Sequence, residues 1–409
     1  MSTATFEYKA RNRAGDIKTG ELEGPNSKAV VAALRESGLI PISVDEVKTS
    51  GLQKEIRIPG MSGRVKQKDV VLFSRQFSTM VNSGLSLIRA LDVLVDQSES
   101  VGLRDTLAAV KHDVEQGTSL SVAMEKHPKV FNRLYVAMIK AGEVGGVLDE
   151  TLDRLADMME SSLALRSKIK SAMAYPVVVG GLIVFVTSAM MIFVVPIFQD
   201  LFNDMGGGAA LPLPTQVLVI MSTIMTKAWY AVILFWVGVI FGFRKWKTSE
   251  SGRFMWDTIK LKMPVFGQLA HKTSLSRFAR TLAVLSRTGV PILQAIEIVQ
   301  DTAGNEVMSR ALEDVKKSVK EGESFTKPLA RHKIFPPMVV QMMSVGEETG
   351  ALDTMLGKVS DFYDREVDDT VSALTSLIEP MLIVVMGVTV GGILIALYLP
   401  IFNLASLVG

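Results

Sequence analysis

Two long stretches of this chain contain no charged residue, and they limit its fold more than any other feature. Residues 177–195 and 381–399 are uncharged throughout, and each is close to the ~20 residues that a helix needs to cross a bilayer. Each stretch follows a long charged run with helical periodicity. The mean hydropathy of +0.31 alongside 21% charged residues agrees with a mainly α, polytopic membrane protein that also has large aqueous domains.

The two apolar stretches belong to an internal repeat. A turn of the form GExxGxLD, a charged helical run and a proline-bounded apolar stretch occur twice in that order, 204 positions apart. A fixed offset shared by so many residues is the signature of a duplicated structural unit. The matched residues are Gly142, Glu143, Gly146, Leu148, Asp149, Leu152, Pro176, Pro196, Ile197 and Phe198, which return as Gly346, Glu347, Gly350, Leu352, Asp353, Leu356, Pro380, Pro400, Ile401 and Phe402.

Each copy begins with a segment that is typical of a helical bundle. In the first copy, apolar residues recur at spacings of three and four from about residue 68, and glycines such as Gly84 and Gly117 separate the runs. The second copy follows at an offset of 205, as in Phe278 after Phe73. The sequence therefore predicts two homologous six-helix bundles, at 67–174 and 244–378.

The residues before the first bundle form a small α+β module in this interpretation. Phe6 and Tyr8 alternate with polar neighbours as in a strand, and Val30 and Leu34 belong to the apolar stripe of a helix. The module is predicted to occupy 1–48. Residues 49–66 contain three glycines and one proline and are predicted to be a linker.

A third apolar region separates the two copies. Residues 217–243 are interrupted only by Lys227. If both bundles lie on one side of the membrane and both lead outward, one further crossing must bring the chain back between them. We therefore predict three transmembrane helices, at 175–197, 217–243 and 379–400, with an outer loop at 198–216 and an outer tail at 401–409.

The distribution of basic residues predicts the orientation. Loops with an excess of lysine and arginine stay in the cytoplasm, and the 198–216 loop has neither residue type. The N-terminal sequence lacks the apolar core of a secretory signal. Both bundles are therefore predicted to be cytoplasmic. The basic residues that flank the first two spans are Arg166, Lys168, Lys170, Arg244, Lys245 and Lys247.

The composition and motifs argue against several functional classes. Basic and acidic residues number 44 and 42, so the chain lacks the basic surplus that nucleic-acid binding needs. It contains no cysteine and no phosphate-binding loop, HExxH, GxSxG or dinucleotide motif. The repeat-related pair His127 and His332 is interpreted as helix capping. We therefore predict no enzymatic activity, no cofactor, and no catalytic or metal site.

An ion-coupled transporter is disfavoured for a different reason. Such carriers keep ionisable groups inside their spans, where the coupled charge binds, and the first and third predicted spans have none in their interiors. Lys227 is interpreted as a side chain that reaches the outer interface, with a place along a transport path as the alternative.

The repeated turn is the first candidate functional site. Its residues are Gly142, Glu143, Gly146 and Asp149, with Gly346, Glu347, Gly350 and Asp353 in the second copy. One interpretation is a helix-start cap, because glycine permits a tight turn and carboxylates are favoured at a helix N-terminus. The alternatives are a docking surface for a cytosolic partner and a loose divalent-cation site with oxygen ligands.

Glycines in the spans are the second candidate site. Pairs spaced four apart allow helix backbones to approach closely, either within one chain or between chains, and both possibilities stay open. The glycines are Gly180, Gly181, Gly238, Gly242, Gly387 and Gly391.

Several segments together resemble one family. They are the duplicated GExxGxLD turn with its proline-bounded span, the opening FEYKARNRAGDIKTGELEG with AVVAALRESGLIPISV, and IFVVPIFQDLF followed by LPLPTQ. In these segments the chain resembles the inner-membrane platform proteins of type IV pilus assembly and type II secretion, over essentially its whole length. The YKARN opening and the LPLPTQ loop favour the pilus branch.

The resemblance implies a non-enzymatic platform in the bacterial inner membrane that helps to move pilin subunits between the bilayer and the filament. The implied partners are a hexameric cytosolic ATPase, pilin subunits, other inner-membrane pilus assembly proteins, and further copies of the chain in a dimer or higher oligomer. The loop at 198–216 and the C-terminus would then be periplasmic. The alternatives are the platform of a type II secretion system, a permease or channel subunit, and a membrane receptor that only recruits a soluble enzyme.

Overall fold

The computed structural model divides the chain into two units, Met1–Arg64 and Val65–Gly409. Most of the predicted linker, 49–64, lies outside the residues that the structure describes, as do parts of the predicted outer loop and tail, at 207–210 and 409. The described residues are 4–11, 17–24, 27–36, 40–46, 65–206, 211–264 and 266–408.

The described residues of the N-terminal unit form an antiparallel three-stranded sheet and one helix. Strand β1 pairs with both other strands, so that the sheet order is β2-β1-β3. Val30 and Leu34 on the helix are each 1% exposed, because the apolar stripe of the helix is buried in this unit. The elements are β1 (Ala4–Arg11), β2 (Ile17–Gly24), α1 (Ser27–Glu36) and β3 (Ile40–Glu46).

The first bundle has the six helices that the periodicity predicts. Their apolar faces meet in a core where the Phe73 ring lies 5.4 Å from that of Phe77 and 5.9 Å from that of Phe131, measured between centroids. The helices are α2 (Gln67–Asn82), α3 (Leu87–Gln97), α4 (Val101–Glu115), α5 (Leu120–Glu125), α6 (Arg133–Gly145) and α7 (Leu148–Ala172).

The first and second apolar regions follow as a series of helices with distinct breaks. After Met173 the chain continues as α8, passes through a π-helical turn at Met190–Val194 and goes on as α9. The next two helices are separated by Ala228 alone. The helices are α8 (Ala174–Ala189), α9 (Val195–Gly206), α10 (Leu213–Lys227) and α11 (Trp229–Thr248).

The second bundle ends in one very long helix. Its last helix, α18, runs from Leu352 to Val408 without interruption, and α13 packs along it through Leu269 against Val367 and Val371. The helices are α12 (Glu250–Lys262), α13 (Phe266–Arg287), α14 (Ile292–Thr302), α15 (Glu306–Lys320), α16 (Thr326–Leu329), α17 (Pro337–Thr349) and α18 (Leu352–Val408).

Three helical segments among the described residues are long and apolar enough to cross a membrane, Leu148–Phe202, Trp229–Thr248 and Leu352–Phe402. The first of them comprises α7, α8, the π-helical turn and most of α9. The prediction of one span over 217–243 is wrong, because α10 ends at Lys227. Threonine hydroxyls that bond back to carbonyls in their own helix bend helices, and Thr223 and Thr226 do so just before the break.

Three further boundaries also differ from the prediction. The predicted outer loop at 198–216 is largely helical, since α9 extends to Gly206 and α10 begins at Leu213, where Pro214 is tolerated in the first turn. The predicted tail is helical to Val408. The second bundle has α12 in addition to six helices, and this helix contacts the bundle through Asp257, whose Oδ2 accepts the N–H of Glu306 at 2.8 Å and caps α15.

Candidate functional site

The first GExxGxLD turn joins α6 to α7 at very close range. Gly146 has a φ of +66°, and the N–H groups of Gly146 and Val147 bond to the carbonyls of Glu143 and Gly142 at 3.3 and 3.0 Å, which is the Schellman pattern of a helix end. A Cβ on Gly142 would lie 2.8 Å from Thr151 Oγ1. Glycine is therefore required at one position for its φ and at the other for its size.

Glu143 reaches across the bundle to a third helix. Its Oε1 accepts the N–H of Leu120 at 2.6 Å, and its Oε2 accepts the N–H of Ser121 at 3.1 Å and also the Ser121 hydroxyl. These are the free N–H groups at the start of the short helix α5. The carboxylate thus caps α5, whereas Asp149 lies exposed in the first turn of α7.

The second turn repeats this arrangement. Gly350 has a φ of +70°, and a Cβ on Gly346 would lie 2.9 Å from the Cα of Leu352. Glu347 accepts the N–H groups of Phe325 and Thr326 at 2.7 and 3.2 Å, and the Thr326 hydroxyl at 2.8 Å. Both glutamates therefore use their oxygens inside the fold.

The two copies differ at the last residue of the motif. Asp353 Oδ2 accepts the Nε–H of Arg287 at 3.1 Å. In the first copy the residue that corresponds to Arg287 is an asparagine, Asn82. Within the described ranges, no group of three or more histidine, aspartate or glutamate side chains is placed to hold a metal ion.

Arg75 anchors α2 to α7 through three carboxylates. Its Nε donates to Glu160 Oε1 at 2.7 Å, its Nη1 donates to Asp153 Oδ1 at 3.0 Å, and Nη2 pairs with Asp157. The hydrogen bonding that Arg75 donates to Glu160 is the largest effect that raises the pKa of Arg75, and the same interaction lowers the pKa of Glu160.

The corresponding arginine of the second copy is less exposed and has fewer partners. Arg280 pairs with Asp364, and its Nε donates to Ser360 Oγ at 3.2 Å. The Arg280 side chain is 16% exposed, compared with 31% for Arg75. Arg75 and Arg280 are 205 positions apart, and their partners Glu160 and Asp364 are 204 apart, so the repeat relates both members of each pair.

Polar contacts join the two bundles directly. Arg133 of α6 pairs with Asp301 and, at 3.3 Å, with Glu297, and Arg154 Nη1 donates to the carbonyl of Arg287 at 3.1 Å. Nearer the first span, Lys168 Nζ lies 2.7 Å from Asp368 Oδ2 of α18.

The proline of the first span leaves one backbone carbonyl without a partner in its own helix. In the π-helical turn Met190–Val194 each hydrogen bond reaches five residues back, and Pro196 has no N–H to donate to Met191. The Ser222 hydroxyl of α10 instead donates to the Met191 carbonyl at 2.6 Å. Ser222 is 2% exposed, so this bond is buried.

The third span carries the repeat-related free carbonyl. Pro400 lies inside α18, and its missing N–H leaves the carbonyl of Ala396, four residues earlier, without its helical partner. The Thr215 hydroxyl donates to that carbonyl at 2.5 Å, and Leu218 lies in a buried cluster with residues of both spans. Helix α10 therefore donates hydrogen bonds to the helices that contain Pro196 and Pro400, through two hydroxyls that are two turns apart.

The two segments that share these contacts match one family model. The model is described as type II secretion system, protein F, and it matches residues 73–196 and 278–400. The chain belongs to this family. A second model, described as the N-terminal domain of type II secretion system protein F, matches residues 3–45.

Curated members of the protein F family match this chain over nearly its full length. A type IV pilus assembly protein PilC of Myxococcus xanthus is 44% identical over 405 residues, which are 99% of this chain and 96% of that protein. A protein of the same name from Thermus thermophilus is 42% identical, with 98% of each chain covered. The type II secretion system protein F of Vibrio cholerae is 33% identical, with 99% of each covered.

The span glycines of this protein F family member contact nothing at close range within the described chain. A Cβ built at Gly180, Gly181, Gly238, Gly242, Gly387 or Gly391 meets no atom within 4 Å. Helix α10 contacts the first and third spans through Thr215, Ser222 and Leu218. These two spans also meet directly, with the Phe198 and Tyr398 ring centroids 6.1 Å apart. Sequence reasoning missed both hydroxyls, although two polar residues seven apart in an apolar helix are a recognisable signal.

Proposed function

We propose that this chain is the inner-membrane platform of type IV pilus assembly and that it catalyses no reaction itself. The observation that carries the proposal is the full-length similarity to two proteins named type IV pilus assembly protein, at 44% and 42% identity. Three helices that can cross a membrane and two bundles in direct contact with them support a role at the bilayer.

The proposed mechanism is mechanical coupling between a hexameric cytosolic ATPase and pilin subunits in the membrane. Helix α18 has 57 residues and is about 85 Å long at 1.5 Å per residue, so it reaches from the Gly350 turn through a bilayer core of ~30 Å. Contacts between α13 and α18 join the rest of the second bundle to this helix. A displacement imposed on the bundle is then passed directly into the third span.

Gene deletion tests the platform role. We expect the deletion strain to lack pili while its pilin pool stays in the membrane, and normal piliation would overturn the proposal. A four-glycine insertion after Glu379 tests the coupling, because it interrupts α18 at the edge of the apolar stretch. Four alanines at the same place keep the helix continuous and are the matched control. Equal piliation with the two insertions would argue against coupling through α18.

For the orientation, we propose that the N-terminal unit and both bundles are cytoplasmic and that the C-terminus is periplasmic. The basic residues beside the first two spans support this arrangement. Epitope tags after Thr248 and at the C-terminus are expected to be labelled from opposite sides of the inner membrane. Labelling of both tags from the same side would exclude three crossings.

For partner docking at the repeated turn, we propose that the exposed residues contribute and that Glu143 does not. Asp149 is exposed and Val144 retains 84% of its surface, whereas Glu143 caps α5. Asp149→Arg is expected to reduce ATPase copurification with only a small loss of stability, about 1 kcal/mol or less, because it places a cation in the first turn of α7. Glu143→Arg should lower the stability, and Val122→Ala on the exposed side of α5 is the control for a surface change.

The platform of a type II secretion system is the second candidate. The Vibrio cholerae relative of that name is 33% identical over 404 residues, and the proposed mechanics would be the same. The deletion strain distinguishes the two, since loss of secreted enzymes with intact pili would favour the secretion system.

For self-association, we propose contacts between copies along α11. Its apolar segment is entirely unburied in the single chain and carries Gly238 and Gly242.

A further inference from the structure

A basic cleft lies between the two bundles, beside the start of the first span. It has a volume of about 580 Å³, and residues of α7 and α13 form its walls. Four basic side chains line it, Arg166 and Lys170 from α7 and Arg277 and Arg280 from α13, and its described lining contains no aspartate or glutamate. Asp301 lines the adjoining cavity that shares Arg166 and Arg277, and it is already paired with Arg133.

Most basic residues of the cleft have no carboxylate partner. Carboxylates of α18 pair with Arg280 of the cleft and with two lysines outside it, Lys168 and, at 2.6 Å, Lys272. Among the described residues, no carboxylate lies within 4 Å of the side-chain nitrogens of Arg277 or Lys170. The cleft therefore keeps a net positive charge, because the nearby α18 carboxylates are paired with other basic residues.

The other polar groups that line the cleft also suit an anion. Arg166 Nη1 donates to a neutral group, Gln67 Oε1, at 2.9 Å. The surrounding protein atoms, and then the charge of Arg166, lower the pKa of Arg277, although its side chain stays accessible from the open cleft. Thr273, which lines the same cavity, has a buried hydroxyl without a hydrogen-bond partner. Two guanidinium groups that line the same cleft without a carboxylate partner are stabilised when an anion binds between them.

The position of the cleft indicates where such an anion comes from. Lys170 and Met173 directly precede α8, whose apolar sequence enters the membrane, and Leu165, Ile169 and Met173 form an apolar side of the same cavity. A basic pocket with an apolar wall at the membrane surface fits a phospholipid headgroup with its glycerol end. A soluble phosphate would leave the apolar wall without a ligand.

We propose that the cleft between α7 and α13 binds the phosphate headgroup of an anionic phospholipid from the leaflet that adjoins the bundles. The guanidinium groups of Arg166 and Arg277 hold the phosphate oxygens, Lys170 adds a third cation at the membrane side, and Thr273 donates its hydroxyl. The bound lipid joins the two bundles where they enter the bilayer. This inference does not depend on the proposed pilus function.

Native mass spectrometry of the full-length protein in detergent, titrated with phosphatidylglycerol and phosphatidylcholine, tests the proposal. We expect preferential binding of phosphatidylglycerol, and Arg277→Gln and Lys170→Gln should each weaken it about fivefold, as expected for one cation near a membrane surface. Lys168→Gln is the matched control, because it removes a charge from the same helix but outside the cleft, and it should change binding less than twofold. Equal loss in all three variants would reduce the effect to general surface charge and overturn the proposal.

Two further measurements separate the remaining outcomes. If inorganic phosphate or glycerol 3-phosphate displaces the bound lipid at equal concentration, the site takes a soluble anion and the lipid assignment is wrong. Arg277→Lys retains the charge and is expected to keep most of the lipid binding, so it decides the question if Arg277→Gln does not fold. Loss of binding in a folded Arg277→Lys variant together with unchanged binding in Lys170→Gln would also contradict the proposal.

Discussion

The two copies of the repeat accommodate the same proline differently. In the first copy the chain is interrupted at Met173 and again by the π-helical turn at Met190–Val194, whereas the second copy is one helix from Leu352 to Val408. The free carbonyl accordingly lies five residues before Pro196 but four residues before Pro400. A shift of one residue rotates a carbonyl by about 100° around the helix axis.

Helix α10, which occurs only once in the chain, contacts both homologous spans and influences the geometry of each. Helix α10 has no counterpart in the repeat, and the two hydroxyls that reach these carbonyls, on Thr215 and Ser222, lie on one face of the helix. A carbonyl without a partner is costly in an apolar environment. The π-helical turn brings the carbonyl of the first copy into reach of Ser222, so the two copies differ because they share a single neighbour.

The largest difference between the copies is expected at the two repeat-related arginines. Asp364→Asn should lower the free energy of unfolding by about 2–3 kcal/mol, since it leaves the less exposed Arg280 without its carboxylate. Glu160→Gln should cost less than about 1 kcal/mol, because Arg75 is more exposed and keeps two further carboxylates. Thermal unfolding of the full chain in detergent measures both variants, and equal losses would show that the two sites are equivalent.

The two capping glutamates should behave alike. Glu143→Ala and Glu347→Ala each remove a carboxylate that accepts three hydrogen bonds, and each is expected to cost about 2 kcal/mol. The same unfolding measurement applies, with Glu150→Ala on the exposed face of α7 as the control. A much smaller loss for one of the two would show that the copies differ here as well.

The hydroxyls of α10 should contribute less individually. Thr215→Val and Ser222→Ala are each expected to cost about 1 kcal/mol, the size of an interhelical hydrogen bond in a membrane. Thr223→Val is the matched control, because the Thr223 hydroxyl bonds only to Val219 of its own helix. If the control and Thr215→Val have the same effect, the bond to the Ala396 carbonyl does not stabilise the span.

The smallest expected effect is a pH dependence in the first copy. The pKa of Glu160 is lowered in the folded state by Arg75, so the pair stabilises the fold above the ordinary glutamate value of about 4.3 and this contribution is lost as the pH falls through the folded pKa. The difference in melting temperature between the wild type and Arg75→Met should therefore shrink on acidification. Lys140→Met at an exposed position is the control, and a constant difference would contradict the assignment.

Local patterns in the sequence were sufficient for much of the fold. Uncharged length predicts the first and third spans, because crossing a bilayer depends on continuous apolar residues. Periodicity predicts the helices of the first bundle, and the 204-residue offset predicts that the turns at Gly142 and Gly346 are equivalent. The requirement for glycine at Gly146 and Gly350 is also local, since it follows from the backbone φ at each position.

Only the tertiary structure decided which groups these elements contact. The sequence placed Glu143 at the start of α7, but its carboxylate caps α5, 22 and 23 positions earlier. The apolar run at 217–243 divides at Ala228, and Thr215 of α10 bonds to a carbonyl 181 positions away. Hydrophobic length and period are properties of neighbouring residues, whereas a hydrogen-bond partner is set by which distant backbone groups remain unsatisfied when the helices pack.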